Sequence, residues 1–379
     1  TPKPSSAASD VYKRQVNGPS YHNGLWRFDP ATLEWTWMSG SPEYTWNPSG
    51  VYGTKGVAAA ANTPGGRYGG SGWVDGNKLW LFGGSGTLPN ADLWFFDISS
   101  GQWTWVSGPT TSDSYGIFGT QGSASSTQVL PSSRYGVTSW VDSSGNHWYF
   151  GGTGAFGTTN DLWKYNPNTD VWTWVSGNTV NGDAGVYGTK GVAAASNLPR
   201  ARFSATGWID ASNNLWLWGG SGYLNDMWKF DTSTNQWTWM AGSSSTSVVG
   251  VYGTKGVPST SNYPGGRAQM VSAVDSGGNI WLFGGYGCGT TCSGYLNDLW
   301  KYNPGTGEWT WVSGANAYGA GGTYGTKGTP STSNTPGSRY SPAGWIDSSD
   351  NLWVFGGMSG SGDYLSLIHI SEPTRPLYI

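Results

Sequence analysis

The feature that most constrains this chain is a repeated run of residues. A segment that reads like Asn-Asp-Leu-Trp-Lys-Tyr-Asn-Pro, with Trp-Thr-Trp starting nine residues after its first Trp, occurs at 25–37, 93–105, 162–174, 227–239 and 299–311. The first tryptophans of these segments are 68, 69, 65 and 72 residues apart. Near-regular spacing of this kind predicts a repeat architecture in which each repeat is one supersecondary unit.

The composition narrows the class of protein. The chain has 26 Trp and 62 Gly among 379 residues, and charged residues make up 11%, against about 25% in an average soluble domain. The tryptophans exclude disorder because disordered chains are poor in aromatic residues. The sequence contains no basic cluster and no long apolar run, so we expect neither a nucleic-acid partner nor a membrane span in this chain.

Each repeat is predicted to contain four short strands. In the unit that begins at Arg202, the segments 203–209, 215–218, 226–231 and 236–240 are apolar or alternate polar with apolar residues, which is typical of strands. Clusters of turn-forming residues, such as 210–214 and 232–235, separate them. No window has helical periodicity. Four strands per repeat indicate a blade of a β-propeller.

The motifs resemble those of the kelch repeat. An aliphatic-aromatic-Gly-Gly motif ends the second strand at 79–84, 148–152, 215–220, 280–285 and 352–357, and the Asn-Asp-Leu-Trp segment and a further Trp follow it. The resemblance implies an all-β, kelch-type β-propeller of four-stranded blades, similar to the central domain of bacterial galactose oxidase-like proteins. Complete units are expected at about 67–107, 134–176, 202–241 and 267–313, with half blades at 25–38 and 339–357. The half blades indicate a fragment of a larger ring, or they pair as a closing fifth blade.

The two ends of the chain lack the repeat. Residues 1–15 and 366–379 resemble translated sequencing-adapter read-through, as found in assembled metagenomic genes, and the expected Asn-Asp-Leu-Trp segment breaks off after Leu365. We expect both tails to be non-native, the propeller to span 16–365, and the native protein to be longer.

Arginine and aspartate recur at fixed positions of the repeat. An Arg opens each first strand, and an Asp precedes each third-strand Trp: Arg67, Arg134, Arg202, Arg267 and Arg339, with Asp92, Asp161, Asp226 and Asp298. We expect structural ion pairs or arginine–carbonyl contacts, since burial of charge requires a partner. A ligand-binding ring of arginines is the alternative.

Two kinds of loop are expected on one face of the blades. The connection from each fourth strand to the next Arg is long and repeats Tyr-Gly-Thr-Lys-Gly, whereas the connection from Gly-Gly to Asn-Asp differs between copies. Because loops on a rigid scaffold usually carry recognition, this face is the predicted binding surface. The candidate binding residues are Tyr52, Lys55, Tyr187, Lys190, Tyr252, Lys255, Tyr286, Tyr295, Tyr324 and Lys327. The recurring tyrosines have a second interpretation, in which they fill grooves between blades.

The longest variable loop contains Cys288 and Cys292, the only cysteines. Two thiolates without a nearby histidine are too few to hold zinc. A small disulfide loop is favoured over two unpaired thiols, and it predicts an extracytoplasmic setting, secreted or at the cell surface.

Catalytic chemistry finds little support in the sequence. A copper site of the galactose oxidase type needs two histidines, and His22 and His147 are expected on opposite faces. The Asp/Asn turns between first and second strands have oxygen ligands for calcium but are also ordinary turn formers.

We therefore expect no catalytic residue, metal or cofactor, and a non-catalytic propeller that recognises a protein or polysaccharide. The alternatives are a fragment of a carbohydrate-active or galactose oxidase-like enzyme without its catalytic residues, and a structural adhesion repeat.

Overall fold

The computed structural model describes residues 21–29, 31–42, 48–125 and 129–359. All regular secondary structure in these ranges is β-strand, which confirms the predicted all-β class. The chain divides into two compact units, 1–112 and 113–379. The tails predicted to be non-native, 1–15 and 366–379, lie outside the described residues.

The first unit contains a two-stranded and a four-stranded antiparallel sheet. The two-stranded sheet pairs β1 (Leu25–Asp29) with β2 (Glu34–Ser39). The four-stranded sheet has the order β3-β4-β5-β6 and consists of β3 (Ser71–Asp75), β4 (Lys78–Phe82), β5 (Leu93–Asp97) and β6 (Gln102–Ser107).

The second unit begins with a five-stranded sheet of order β7-β13-β12-β9-β8. Its strands and a small hairpin, β10-β11, are β7 (Ala124–Ser125), β8 (Thr138–Val141), β9 (His147–Phe150), β10 (Thr153–Gly154), β11 (Gly157–Thr158), β12 (Leu162–Asn166) and β13 (Val171–Ser176). A four-stranded sheet in sequence order follows, with β14 (Thr206–Ile209), β15 (Leu215–Trp218), β16 (Met227–Asp231) and β17 (Gln236–Ala241).

Two further groups of strands complete the second unit. The sheets β19-β20-β23-β24 and β18-β21-β22 are formed by β18 (Arg267–Ala268), β19 (Val271–Val274), β20 (Ile280–Phe283), β21 (Tyr286–Gly287), β22 (Gly294–Tyr295), β23 (Leu299–Asn303) and β24 (Glu308–Ser313). The pairs β26-β27 and β25-β28 are formed by β25 (Arg339–Tyr340), β26 (Ala343–Ile346), β27 (Leu352–Phe355) and β28 (Met358–Ser359).

The tryptophans explain why neighbouring sheets of the second unit pack together. Phe150 lies 5.4 Å from Trp237 in the next sheet, and the Trp140 indole donates to the Trp216 carbonyl at 3.2 Å. Burying one Trp contributes on the order of 4–6 kcal/mol gross at about 25 cal/mol/Å². Face-to-face packing of neighbouring sheets therefore supplies the apolar core that the sequence predicts.

The two half units form separate two-stranded sheets in the two units of the chain. Their tryptophans are exposed at Trp26, Trp35, Trp345 and Trp353, whereas the third-strand tryptophans of the complete blades are fully buried at Trp94, Trp163, Trp228 and Trp300. Closure of a fifth blade by the two halves stays a prediction.

Candidate functional site

A buried carboxylate lies at one end of each complete blade, directly before the third strand begins. In the blade 202–241, Arg202 donates two hydrogen bonds to the Asp226 carboxylate, at 2.7 and 2.6 Å, and neither side chain is exposed. The third-strand Trp228 donates its indole N–H to the same carboxylate at 2.7 Å. Arg202 also donates to the Gly219 carbonyl of the Gly-Gly motif at 2.9 Å. The first, second and third strands are thus joined at one point.

The same ion pair occurs in all four complete blades: Arg67–Asp92, Arg134–Asp161, Arg202–Asp226 and Arg267–Asp298. The structure thus places the predicted Arg and Asp residues together as ion pairs rather than as a ring that faces solvent. Arg339 donates to the Gly337 and Gly356 carbonyls at 3.0 and 2.9 Å. Among the described residues, no carboxylate lies within ion-pair distance of Arg339.

A tyrosine from the long loop completes three of these clusters. The hydroxyl groups of Tyr52, Tyr187 and Tyr252 donate to Asp92, Asp226 and Asp298 at 2.8, 2.7 and 2.7 Å. The ring of Tyr187 lies between Trp228 and Trp239, with centroids 5.0 and 5.1 Å away. These three candidate binding residues are therefore engaged inside the blades, and a binding role for them stays a prediction.

In the blade 134–176, the residue that takes the place of the tyrosine in the Arg–Asp–Trp–Tyr cluster is different. Phe118 occupies the tyrosine position, with its ring 5.2 Å from Trp163. Here the hydroxyl of Thr159 accepts a hydrogen bond from Arg134 at 3.0 Å. The corresponding residues in the other complete blades are Asn90, Leu224 and Leu296, so the Thr occurs only in the blade that lacks the tyrosine hydroxyl.

The electrostatics of the clusters follow from burial and pairing. Burial alone raises the pKa of Asp92, but the charge of Arg67 and hydrogen bonds from Arg67, Trp94 and Tyr52 outweigh it and leave this pKa below its ordinary value. Burial, followed by the charge of Asp226, raises the pKa of Tyr187 well above its ordinary value. Asp92 is therefore ionised, and Tyr187 protonated, at neutral pH.

The long loops cover the outer edge of the next blade. Within the loop that precedes Arg202, Val186 pairs with Leu198 as a short hairpin. Asn197 donates to the Trp237 carbonyl at 3.0 Å, and the Gly191 N–H donates to the Trp239 carbonyl at 2.8 Å. These carbonyls belong to β17, the edge strand of its sheet, so the loop masks an edge that could otherwise pair with another chain.

The candidate lysines take part in this cover. Lys190 donates to the Gly242 carbonyl at 2.9 Å with its amine 4.4 Å from the Trp239 ring. Lys255 makes the equivalent contacts with Gly314 at 3.0 Å and with Trp311 at 4.4 Å. Lys55 has the corresponding position in the first unit. In these blades, the Tyr-Gly-Thr-Lys-Gly segment thus packs against the fourth strand and the glycine that follows it.

The last copy of this segment has a different environment. Tyr324 is 76% exposed, and it lines an open groove of about 820 Å³ together with Lys327, Arg339 and Val354. A smaller polar cleft of about 280 Å³ lies in the first unit, where Gly50, Thr87 and Asn90 are among its lining residues.

The variable loop of the blade 267–313 is a hairpin whose tip is closed by a disulfide bond. β21 and β22 pair Tyr286 with Tyr295 and Gly287 with Gly294, and a disulfide joins Cys288 to Cys292 between them. Cys288 is fully buried. The two candidate tyrosines are half-buried, with ring centroids 5.2 Å apart.

The two kinds of loop contact each other. The Gly250 N–H of a long loop donates to the Gly289 carbonyl of the disulfide hairpin at 2.8 Å. The Gly319 N–H of the next long loop donates to the Tyr295 carbonyl at 2.8 Å. Both loop types therefore emerge at one end of this blade, and we call this surface the loop face.

Several residues that hold the loop face were not singled out from the sequence. Asn160 accepts from the Asn178 N–H and donates to the Pro199 carbonyl, both at 3.1 Å, so it ties both ends of a long loop. Asn297 makes the same pair of bonds with Ala315 and Pro336, both at 3.0 Å. The recurrence of Asn before Asp was the signal for these clamps.

The turn carboxylates considered for calcium are engaged by donors. Asp210 accepts hydrogen bonds from the Ser212 and Asn214 N–H groups, both at 2.9 Å, and from the Trp216 indole at 2.9 Å. A carboxylate surrounded by N–H groups holds a turn rather than a cation. Across the described ranges, no group of three or more His, Cys, Asp or Glu side chains is arranged to hold a metal ion.

Comparisons with known proteins give no relative from which a role could be transferred. No protein-family model matches the chain, and no curated protein is significantly similar to it. In the part of the chain that the structure describes, no helix is long and apolar enough to span a membrane.

Proposed function

We propose that this chain is a kelch-type propeller that binds a protein or carbohydrate partner through its loop face and catalyses no reaction. The observation that carries the proposal is the disulfide-closed hairpin at 286–295, which presents Tyr286 and Tyr295 beside one another. This hairpin departs from the repeat, whereas the long loops that follow the repeat are engaged in packing.

The kelch assignment rests on the order of the motifs in each blade. A Gly-Gly pair ends the second strand, the buried Asp and Trp open the third, and a Trp in the fourth strand packs beside them. The four-stranded antiparallel sheets are compatible with propeller blades. The ring and its number of blades belong to the proposal.

Two further observations support the setting and the absence of catalysis. The Cys288–Cys292 disulfide favours an oxidising, extracytoplasmic location. The buried ionised pairs, of which Arg134–Asp161 is one, are saturated by hydrogen bonds that hold strands together. Groups used in this way are not poised for proton transfer.

The test replaces the 286–295 segment by Gly and Ser at equal length, and leaves the buried Leu296 and Asn297 unchanged. The matched control replaces the turn at 304–307, which joins β23 to β24 at the opposite end of the same blade. Pull-downs compare both variants with the unmodified chain against soluble proteins and polysaccharides. We expect loss of binding in the first variant alone, and equal binding by both would refute the role of the loop face.

A further inference from the structure

Four tyrosines from three separate segments meet on the loop face of the second unit. Tyr286 lies 5.8 Å from Tyr223 and 5.2 Å from Tyr295, and Tyr295 lies 5.3 Å from Tyr340. All four side chains are half-buried. We call Tyr223, Tyr286, Tyr295 and Tyr340 the tyrosine cluster. It forms a connected path of rings in which neighbouring rings are inclined by 61°, 65° and 35°, so that the cluster offers both ring faces and ring edges.

The backbone beneath the cluster is held in place from several sides. Ala268, Tyr286 and Tyr295 lie opposite one another in the ribbon β18-β21-β22, and the disulfide closes the tip of its hairpin. The ring of Tyr318 covers Gly294, where an added Cβ would lie 2.2 Å from that ring. A site held in this way loses little conformational entropy when a ligand binds.

The segments that contribute three of the four rings are polar but uncharged, whereas Tyr340 follows Arg339, whose guanidinium is bound by the Gly337 and Gly356 carbonyls. The segments 221–225 and 286–297, which contribute three of the four tyrosines, contain no Lys, Arg, Asp or Glu. Their other residues are mainly Gly, Ser, Thr and Asn. The hydrogen bond and the proximity of Tyr223 raise the pKa of Tyr286, so the Tyr286 hydroxyl is protonated at neutral pH.

A ligand for this surface needs apolar ring faces for stacking and hydroxyl groups for hydrogen bonds, without charge. Sugar rings have both, because their C–H faces pack on aromatic rings while their hydroxyl groups bond to polar neighbours. A charged ligand would lose hydration on a surface whose loops carry no opposite charge.

A protein partner fits the tyrosine cluster less well. A stable protein interface covers roughly 800 Å² on each side, which is more than four half-buried rings provide. We propose that the tyrosine cluster binds an uncharged polysaccharide whose sugar rings lie along the tyrosine rings. This inference rests on the proposed function and narrows its partner to one chemical class.

The test measures retardation of the full chain in native gels that contain a soluble polysaccharide. The uncharged probes are hydroxyethylcellulose, mixed-linkage β-glucan, galactomannan and xylan, and the acidic probes are alginate and polygalacturonate. We expect retardation by at least one uncharged probe, and we expect it to persist at about 0.5 M salt. Salt at that concentration shortens the Debye length to about 3–10 Å and weakens contacts between charges, but it does not weaken an uncharged contact.

Variants locate the site. Tyr286→Ala and Tyr295→Ala are each expected to weaken binding about tenfold, as loss of one stacked ring implies, while Tyr286→Phe and Tyr295→Phe retain most of it. Trp353→Ala is the control outside the loops, because Trp353 is an exposed ring of β27 stacked on Trp345 with ring centroids 6.3 Å apart. Denaturation midpoints equal to that of the unmodified chain establish that each variant is folded. If an Ala variant fails to fold, Tyr286→Leu and Tyr295→Leu replace it, because Leu keeps apolar volume but removes the aromatic face. Full binding by these variants overturns the site.

The outcomes separate this inference from the proposed function. Absence of retardation by every uncharged probe, or retardation that Tyr286→Ala and Tyr295→Ala leave unchanged, overturns the polysaccharide site. Salt-sensitive retardation by the acidic probes alone also overturns it. If a protein partner is then lost on replacement of 286–295, the loop-face function stands while the sugar assignment falls.

Discussion

The connection before the blade 267–313 and the variable connection within it both contain tyrosine, but the surroundings of the rings differ. Tyr252 is 6% exposed, and its hydroxyl donates to Asp298 at 2.7 Å. Tyr286 and Tyr295 are half-buried, and their rings face other tyrosines. The first loop therefore completes the interior of the blade, whereas the second loop is part of its surface.

This difference explains why the long loop has similar residues in each copy of the repeat, whereas the variable loop does not. Tyr252 has to reach a carboxylate already bound by Arg267 and Trp300, and that geometry admits few alternatives in any blade. The 286–295 hairpin meets no such requirement, so its length and residues can differ between copies. In the complete blades, the recurring tyrosines Tyr52, Tyr187 and Tyr252 are packing residues. The nonrecurring loop residues are the candidates for recognition.

The largest expected effect comes from breaking the cluster that Tyr252 completes. Asp298→Ala leaves the fully buried Arg267 without its carboxylate. Removal of one partner from a buried ion pair costs about 3–5 kcal/mol in free energy of unfolding. Urea denaturation of the full chain, followed by tryptophan fluorescence, measures this loss.

A double variant separates charge from packing. Arg267→Met combined with Asp298→Leu removes both charges and keeps apolar volume, so it is expected to be more stable than Asp298→Ala alone. If Asp298→Ala lowers the free energy of unfolding by less than about 1 kcal/mol, the ion pair is not the support of the blade that its burial indicates.

The strands and the ion pairs were predictable because both are repeated in register. Alternation in 226–231 marks β16, and an Arg and an Asp at fixed places in each copy pointed to a paired role. Their pairing is local to one blade, and comparison of copies within one sequence is sufficient to detect it.

The cover that the long loops form over the fourth strands was not predicted. Asn197 and Trp237 are distant in sequence, and no periodicity within the loop records their contact. The substitution of Phe118 for tyrosine was visible, but the compensating Thr159 acts through Arg134 and follows no pattern that spacing alone reveals.

The sequence identified half of the tyrosine cluster. Tyr286 and Tyr295 were candidates because they lie in the longest variable loop, whereas Tyr223 and Tyr340 lie in other repeats. Only the packing of successive blades brings these rings together, so their contribution depends on tertiary structure.

Alkaline pH is expected to distinguish the two loops. Burial, and then the charge of Asp298, raises the pKa of Tyr252, while Arg267 opposes this shift. The stabilising contribution of protonated Tyr252 is complete below the unfolded-state pKa of about 10 and declines above it by up to about 1.4 kcal/mol per pH unit until the folded-state pKa is reached.

Urea denaturation at pH 9, 10 and 11 tests this expectation. The free energy of unfolding should fall less steeply in Tyr252→Phe than in the unmodified chain, and other buried tyrosines such as Tyr187 supply the slope that remains. Tyr286→Phe, which alters the solvent-facing loop, is expected to reduce the slope less, because the pKa of Tyr286 is raised mainly by the neighbouring Tyr223 hydroxyl and not by burial beside a carboxylate. A slope that Tyr252→Phe does not reduce would contradict the buried, carboxylate-bound state of this hydroxyl.

The smallest expected effect is that of single hydroxyl groups at neutral pH. Tyr252→Phe removes one donor from a carboxylate that keeps Arg267 and Trp300, so it is expected to lower the free energy of unfolding by about 1–2 kcal/mol. A phenylalanine ring fits this position, because Phe118 packs beside Trp163 at the same place in another blade. Tyr295→Phe is expected to change stability by less than about 0.5 kcal/mol, as at an ordinary surface position. Differences between denaturation midpoints at constant m-value measure both effects. We expect unequal losses because only the Tyr252 hydroxyl reaches a buried carboxylate. Equal losses in the two variants would contradict this difference between the two loops.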